Sequence, residues 1–152
     1  MNRKLLVVED NEYKRKRIIE LIASNLVGWD IDECYSFNSA WQLISKNNYS
    51  VILLDMSLPT FDKTESEPGG AFRVFGGKEL ARKMSKRKIT SKIIFVTQYK
   101  NFSDNTNSCS FDSLKSELLE EYYESCVGFI LYSNTKSEWR DDLVTAISEV
   151  KQ

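Results

Sequence analysis

Val51-Ile52-Leu53-Leu54-Asp55-Met56-Ser57-Leu58-Pro59 is the stretch on which the fold turns. Four apolar residues in succession, with no polar alternation, suit a strand covered on both faces, as in a parallel sheet. The run stops on a carboxylate. Pro59 then bars strand pairing and biases Leu58 toward an extended or turn conformation. Open parallel sheets bind ligands just outside the carboxyl ends of their strands, so Asp55 stands where such a fold does its chemistry. Taken alone, a strand-end Asp more often caps a turn; the flanking sequence decides between the two.

Upstream, residues 4–8 repeat the pattern: Leu5-Leu6-Val7-Val8 is apolar throughout and ends on Glu9-Asp10. From Asn11 to about Asn25 the period is helical, with Ile18, Ile19, Ile22 and Leu26 on one face. Lys14, Arg15, Lys16 and Arg17 fall mostly on the other and read as a solvated face rather than a nucleic-acid patch. Gly28 closes this helix. Residues 29–35 alternate and are more polar, as an edge strand would be. Asn38 or Ser39 is expected to cap a short helix carrying Ala40, Leu43 and Ile44 inward.

Downstream, residues 60–77 break the rhythm. This stretch holds Pro68, Gly69, Gly70, Gly76 and Gly77, has no apolar period, and is far longer than an ordinary connection. It is either a disordered insertion or a loop lying beside Asp55, docked by Phe72, Val74 and Phe75. A helix over 78–87 follows, then Ile93-Ile94-Phe95-Val96 ending at Thr97, then a polar stretch over 100–110. A helix through Phe111, Leu114, Leu118 and Tyr122, a strand over 127–132, and a final helix through Trp139, Leu143 and Ile147, with Ser137 as a plausible cap, complete the chain. Strand and helix alternate five times. The expected fold is α/β: a doubly wound five-stranded parallel sheet with helices on both faces, as one domain over 1–152 with a long loop at about 60–77.

Composition narrows the chemistry. The chain has 152 residues, a net charge of −1 and no histidine, which excludes Ser-His-Asp and Cys-His catalysis and histidine-containing zinc sites. The charge gives no case for nucleic acid or a membrane surface, and no apolar run has the length of a membrane span. The start, Met1-Asn2-Arg3-Lys4, leads into too short an apolar run before Glu9 and Asp10 for a signal peptide. Cys34, Cys109 and Cys126 have no paired spacing, as expected of a reduced, cytoplasmic protein. In the expected sheet, Glu9, Asp10, Asp55 and Thr97 converge at one edge. Carboxylates that close need a cation, and hard oxygen ligands suit Mg2+. A metal beside Asp55 would let its carboxylate attack a phosphoryl group.

With these residues in place the chain resembles the receiver domain of two-component response regulators, over essentially its whole length. The resemblance rests on Val7-Val8-Glu9-Asp10, Leu53-Leu54-Asp55-Met56-Ser57-Leu58-Pro59 and Val96-Thr97. It implies a flavodoxin-like receiver fold in which Asp55 is the phosphoacceptor, charged by a sensor histidine kinase or phosphotransfer protein. It also implies magnesium on Glu9, Asp10, Asp55 and the Ser57 backbone carbonyl, Thr97 as switch hydroxyl and Phe129 as switch aromatic. Such a domain is not an enzyme, slow self-dephosphorylation aside, and signals by contact with a downstream protein.

One departure stands out. The family ends its last strand on Lys-Pro, and here Tyr132-Ser133 occupies that place. Lys136 is the expected substitute, with Arg73 and Lys78 as further candidates. Two readings therefore stand open: a receiver switched by phosphate, and a phosphorylation-independent pseudo-receiver acting as an interaction module. A magnesium-dependent phosphohydrolase or nuclease would carry Asp-x-Asp, whereas Ser57 stands two after Asp55.

Overall fold

The computed structural model describes residues 3–150; Met1 and Asn2, part of the start weighed above as a leader, and Lys151 and Gln152 lie outside the described residues. The chain runs β1 (Arg3–Val8), α1 (Glu12–Asn25), β2 (Trp29–Cys34), α2 (Phe37–Lys46), β3 (Val51–Leu54), β4 (Leu58–Pro59) and β5 (Phe72–Arg73). It continues with α3 (Gly76–Lys86), β6 (Lys92–Thr97), β7 (Asn101–Ser103), β8 (Ser108–Ser110), α4 (Phe111–Glu121), β9 (Cys126–Leu131) and α5 (Glu138–Ser148). The main sheet has the order β2-β1-β3-β6-β9 and is parallel throughout. The chain reverses direction across the sheet between β1 and β3, which makes their carboxyl ends the switch point where such folds bind ligands.

Strand alternation divides the core in two. Leu5, Val7, Val51, Leu53, Ile94, Val96 and Ile130 face α1 and α5, meeting Ile18, Ile22, Trp139, Leu143 and Ile147. Leu6, Val8, Ile52, Leu54, Ile93, Phe95 and Phe129 face α2, α3 and α4. Each apolar strand is thus buried on both faces, as its unbroken sequence demanded. No helix among the described residues is long and apolar enough to cross a membrane.

Local details depart from the sequence expectations. α2 begins at Ser36, not Asn38 or Ser39: Ser36 and Ser39 form a reciprocal capping box. α1 ends with Leu26 as an extended cap, and Gly28, at φ 85°, turns the chain into β2 instead of closing the helix. Ser137 precedes α5 without a capping hydrogen bond from its side chain. α3 begins two residues before the expected Lys78. The long 60–77 stretch is folded. Leu58 and Pro59 pair antiparallel with Arg73 and Phe72, so Pro59 ends a strand pair rather than preventing one. The turn beyond is tied by Phe61 N to Gly69 O at 2.9 Å and Thr64 N to Glu67 O at 2.9 Å. Val74 and Phe75 dock on the core as expected, whereas Phe72 stays exposed. Residues 101–110 form a second hairpin, β7-β8.

Gly77 locks α3 onto the end of β3. Its N–H donates to Met56 O at 2.7 Å. A Cβ there would lie 2.5 Å from the Asp55 carbonyl oxygen and 3.0 Å from Met56 Cα. Backbone cannot yield as a flexible side chain does. Gly77→Ala is therefore expected to cost about 1–3 kcal/mol, the usual range for overpacking. Urea unfolding of the variant against wild type checks this.

Candidate functional site

Glu9 follows β1, Asp55 follows β3, and Thr97 ends β6. Adjacent parallel strands in this register, with Val8 beside Leu54 and Leu54 beside Phe95, bring their ends to one edge. Glu9, Asp10 and Asp55 each offer an oxygen, and these atoms lie within 4.8 Å of one another. Glu9 and Asp55 are buried, while Asp10 is partly exposed. The acids open on a cavity of about 470 Å³ that also touches Asn11, Ser57, Lys63, Phe72 and Tyr99. Ser57 thus reaches the site, with its hydroxyl donating to Val74 O at 2.8 Å. Thr97 is fully buried, and its Oγ1 accepts the Tyr99 N–H at 3.4 Å. Phe129 is also buried, 5.3 Å from the Phe95 ring and edge-on to Phe111 at 4.9 Å.

The cation of the site comes from α1. Asn11 caps this helix, its side chain accepting the Lys14 N–H. The first turn then lies directly over the acids. Lys14 Nζ stands 2.5 Å from Glu9 Oε1 and 3.5 Å from Asp55 Oδ2, and donates to Val96 O at 2.8 Å. Its side chain is 1 % exposed. Arg15 also turns inward, donating to the Glu9 carbonyl at 2.9 Å, pairing with Glu33 and covering the Tyr35 ring. The expectation that Lys14 and Arg15 belong to a solvated face is thus corrected. Lys14 precedes Ile18 by four and Ile22 by eight residues, which sets it on the buried stripe.

Lys136, the expected substitute for the missing lysine, does not take that place. It borders a separate cavity with Phe111, Phe129 and Trp139. Arg73 pairs with Glu79, and Lys78 with Glu117. Tyr132 turns its ring toward Lys14 Nζ, 5.6 Å from the centroid. Its hydroxyl donates to Asn134 Oδ1 at 2.7 Å and accepts from Arg17 at 3.2 Å. From the long hairpin, Lys63 reaches Asp10 at 3.4 Å on the exposed side.

These charges are unbalanced. Three carboxylates face one buried ammonium. Burial disfavours the Lys14 ammonium, but the Asp55 and Glu9 carboxylates outweigh it and hold its pKa above the ordinary range. Burial pushes the Glu9 carboxyl up to about 8, with the Asp55 charge adding to the rise and Lys14 opposing it. Burial also raises Asp55, against Lys14, Glu9 and the Met56 N–H. Glu9 Oε1 is buried without a hydrogen bond of good angle, ion-paired to Lys14 alone. Hard oxygen donors and a surplus of negative charge fit a magnesium ion. Protonated Glu9 would compete with such an ion. Magnesium affinity is therefore expected to rise with pH up to about 8 and to level off above it, with proton release on binding. Calorimetry in buffers of different ionisation enthalpy measures both.

The cysteines take no part in this site. Cys34 and Cys126 are free and buried, and burial pushes their thiols up to about 12 and about 11.

Comparison with known proteins agrees with this architecture. Residues 5–112 match the family described as the response regulator receiver domain; the match stops before β9 and Tyr132. The chain is 30% identical over 149 residues to the Detocs response regulatory protein DtcB of Enterobacter cloacae, covering 97% of this chain and 99% of that protein. Among solved structures, the receiver domain of the Francisella response regulator 1452 superposes with a TM-score of 0.64 at 21% identity, covering 98% of this chain and 96% of that one. The response regulator TrrA of Thermotoga maritima, solved in complex with Mg(2+)-BeF, gives a TM-score of 0.60 at 21% identity, covering 95% and 98%. This chain belongs to the response regulator receiver family.

Proposed function

We propose that the chain accepts a phosphoryl group on Asp55 from a histidine of a sensor kinase or phosphotransfer protein, and passes the signal on by contact with a downstream protein. The observation that carries this reading is the placement of Asp55: a buried carboxylate at the switch point, beside Glu9 and Asp10 and within ion-pair distance of Lys14. Glu9, Asp10 and Asp55, with the Ser57 carbonyl, would hold magnesium, which when bound shields the charge of the incoming phosphoryl group. Thr97 and Phe129 would carry the change outward as switch hydroxyl and switch aromatic. A cytoplasmic location and slow self-dephosphorylation go with this reading.

The pseudo-receiver reading drew its support from Tyr132 in place of a lysine. The buried ammonium beside Asp55 favours the phosphate-switched reading instead. The test is incubation with acetyl phosphate and magnesium, followed by intact-mass and peptide analysis. Gain of one phosphoryl group on Asp55 is the expected result. No gain, under conditions that label a control receiver, would count against the reading.

A further inference from the structure

We propose that Lys14 is the cation that binds the phosphoryl oxygens on Asp55, so that the charge the family supplies from its last strand comes here from the first helix. The inference rests on the phosphoacceptor reading of Asp55 and assigns Lys14 a role in it. Lys14 Nζ is buried, lies 3.5 Å from Asp55 Oδ2, and has further partners in Glu9 Oε1 and Val96 O. An ammonium carries three donors and moves easily on its four-carbon stem. It can therefore follow charge that appears next to Asp55.

Tyr132 makes sense in the same terms. Its ring walls the ammonium, and its hydroxyl is bound to Asn134 and Arg17. A lysine at 132 beside Lys14 would bring two ammonium groups to one buried site. In this chain the charge sits at 14 and the aromatic ring at 132. Lys63, which also lies near the acids, is exposed and meets Asp10 rather than Asp55.

The chemical step balances without a further reactant. An Asp55 carboxylate oxygen forms a bond to phosphorus, the bond from phosphorus to the donor histidine nitrogen breaks, and its electron pair stays on that nitrogen. The single charge of Asp55 becomes a phosphoryl group carrying nearly two at neutral pH. Lys14 then turns from the carboxylate to the phosphoryl oxygens. Because it also holds the carbonyl of Val96, next to Thr97, its movement reaches the end of β6.

Beryllofluoride, which stands in for the phosphoryl group, tests this on the full chain in magnesium. Its affinity is titrated by amide NMR for wild type, Lys14→Met and the exchange variant Lys14→Met/Tyr132→Lys. Loss of a charge-assisted contact should weaken binding in Lys14→Met by roughly ten- to hundredfold, and the exchange variant should regain most of it. Wild-type affinity in a folded Lys14→Met would overturn the proposal. If Lys14→Met does not fold, the Lys14 15Nζ resonance of wild type carries the test: a shift on adding beryllofluoride supports the assignment, and an unmoved resonance overturns it. A wild type blind to beryllofluoride would instead refute the phosphoacceptor reading itself.

Discussion

Asp55→Asn is expected to take up no phosphoryl group from acetyl phosphate in magnesium, while melting no lower than wild type. The first half follows from chemistry, because an amide oxygen is too weak a nucleophile to replace the carboxylate. The second follows from the surroundings. Asp55 Oδ1 accepts the Met56 N–H at 2.8 Å, and an asparagine oxygen can accept the same bond. Burial raises the Asp55 pKa above its unfolded value, so the folded state favours the protonated form. The stabilisation is then present at low pH and is lost as pH rises through the folded pKa. Charge on this buried group is a burden that the amide lacks, and Lys14 keeps Glu9 and Val96 O as partners. Uptake is read by intact mass and stability by thermal melting. Lost uptake together with a large fall in melting temperature would mark Asp55 as structural.

Lys14→Ala is expected to have the largest effect on stability, about 3–5 kcal/mol in neutral buffer without magnesium, the range for removing one partner of a buried ion pair. Glu9, Asp10 and Asp55 then face one another without the buried ammonium, and Val96 O loses its donor. Two conditions should relieve the loss. Magnesium restores positive charge at the site, and lower pH protonates the acids, so the gap to wild type should narrow under either. Urea unfolding with and without magnesium, at neutral and mildly acidic pH, separates this from simple loss of packing, which neither condition would relieve.

The main sheet was legible because Leu5 to Val8, Val51 to Leu54 and Ile93 to Val96 are unbroken apolar runs that only a doubly covered strand explains. The acids of the site were legible because each ends such a run. Lys14 was not. Its spacing from Ile18 and Ile22 marked the buried stripe, but it begins a run of four basic residues, and composition outweighed period. The hairpins at 58–73 and 101–110 escaped because strands of two or three residues carry no periodicity; their turns are held by backbone hydrogen bonds. The Ser36 cap escaped because its partner is Ser39, where the usual sequence signature has Glu or Gln.

The most direct test of the account is an amide NMR titration of the wild-type chain with magnesium and then with beryllofluoride. The account predicts that magnesium shifts Asp10 and Asp55, and that beryllofluoride then moves Thr97 and Phe129. Magnesium binding with no response to beryllofluoride would contradict it, and would leave a metal-holding interaction module in place of a phosphate-driven switch.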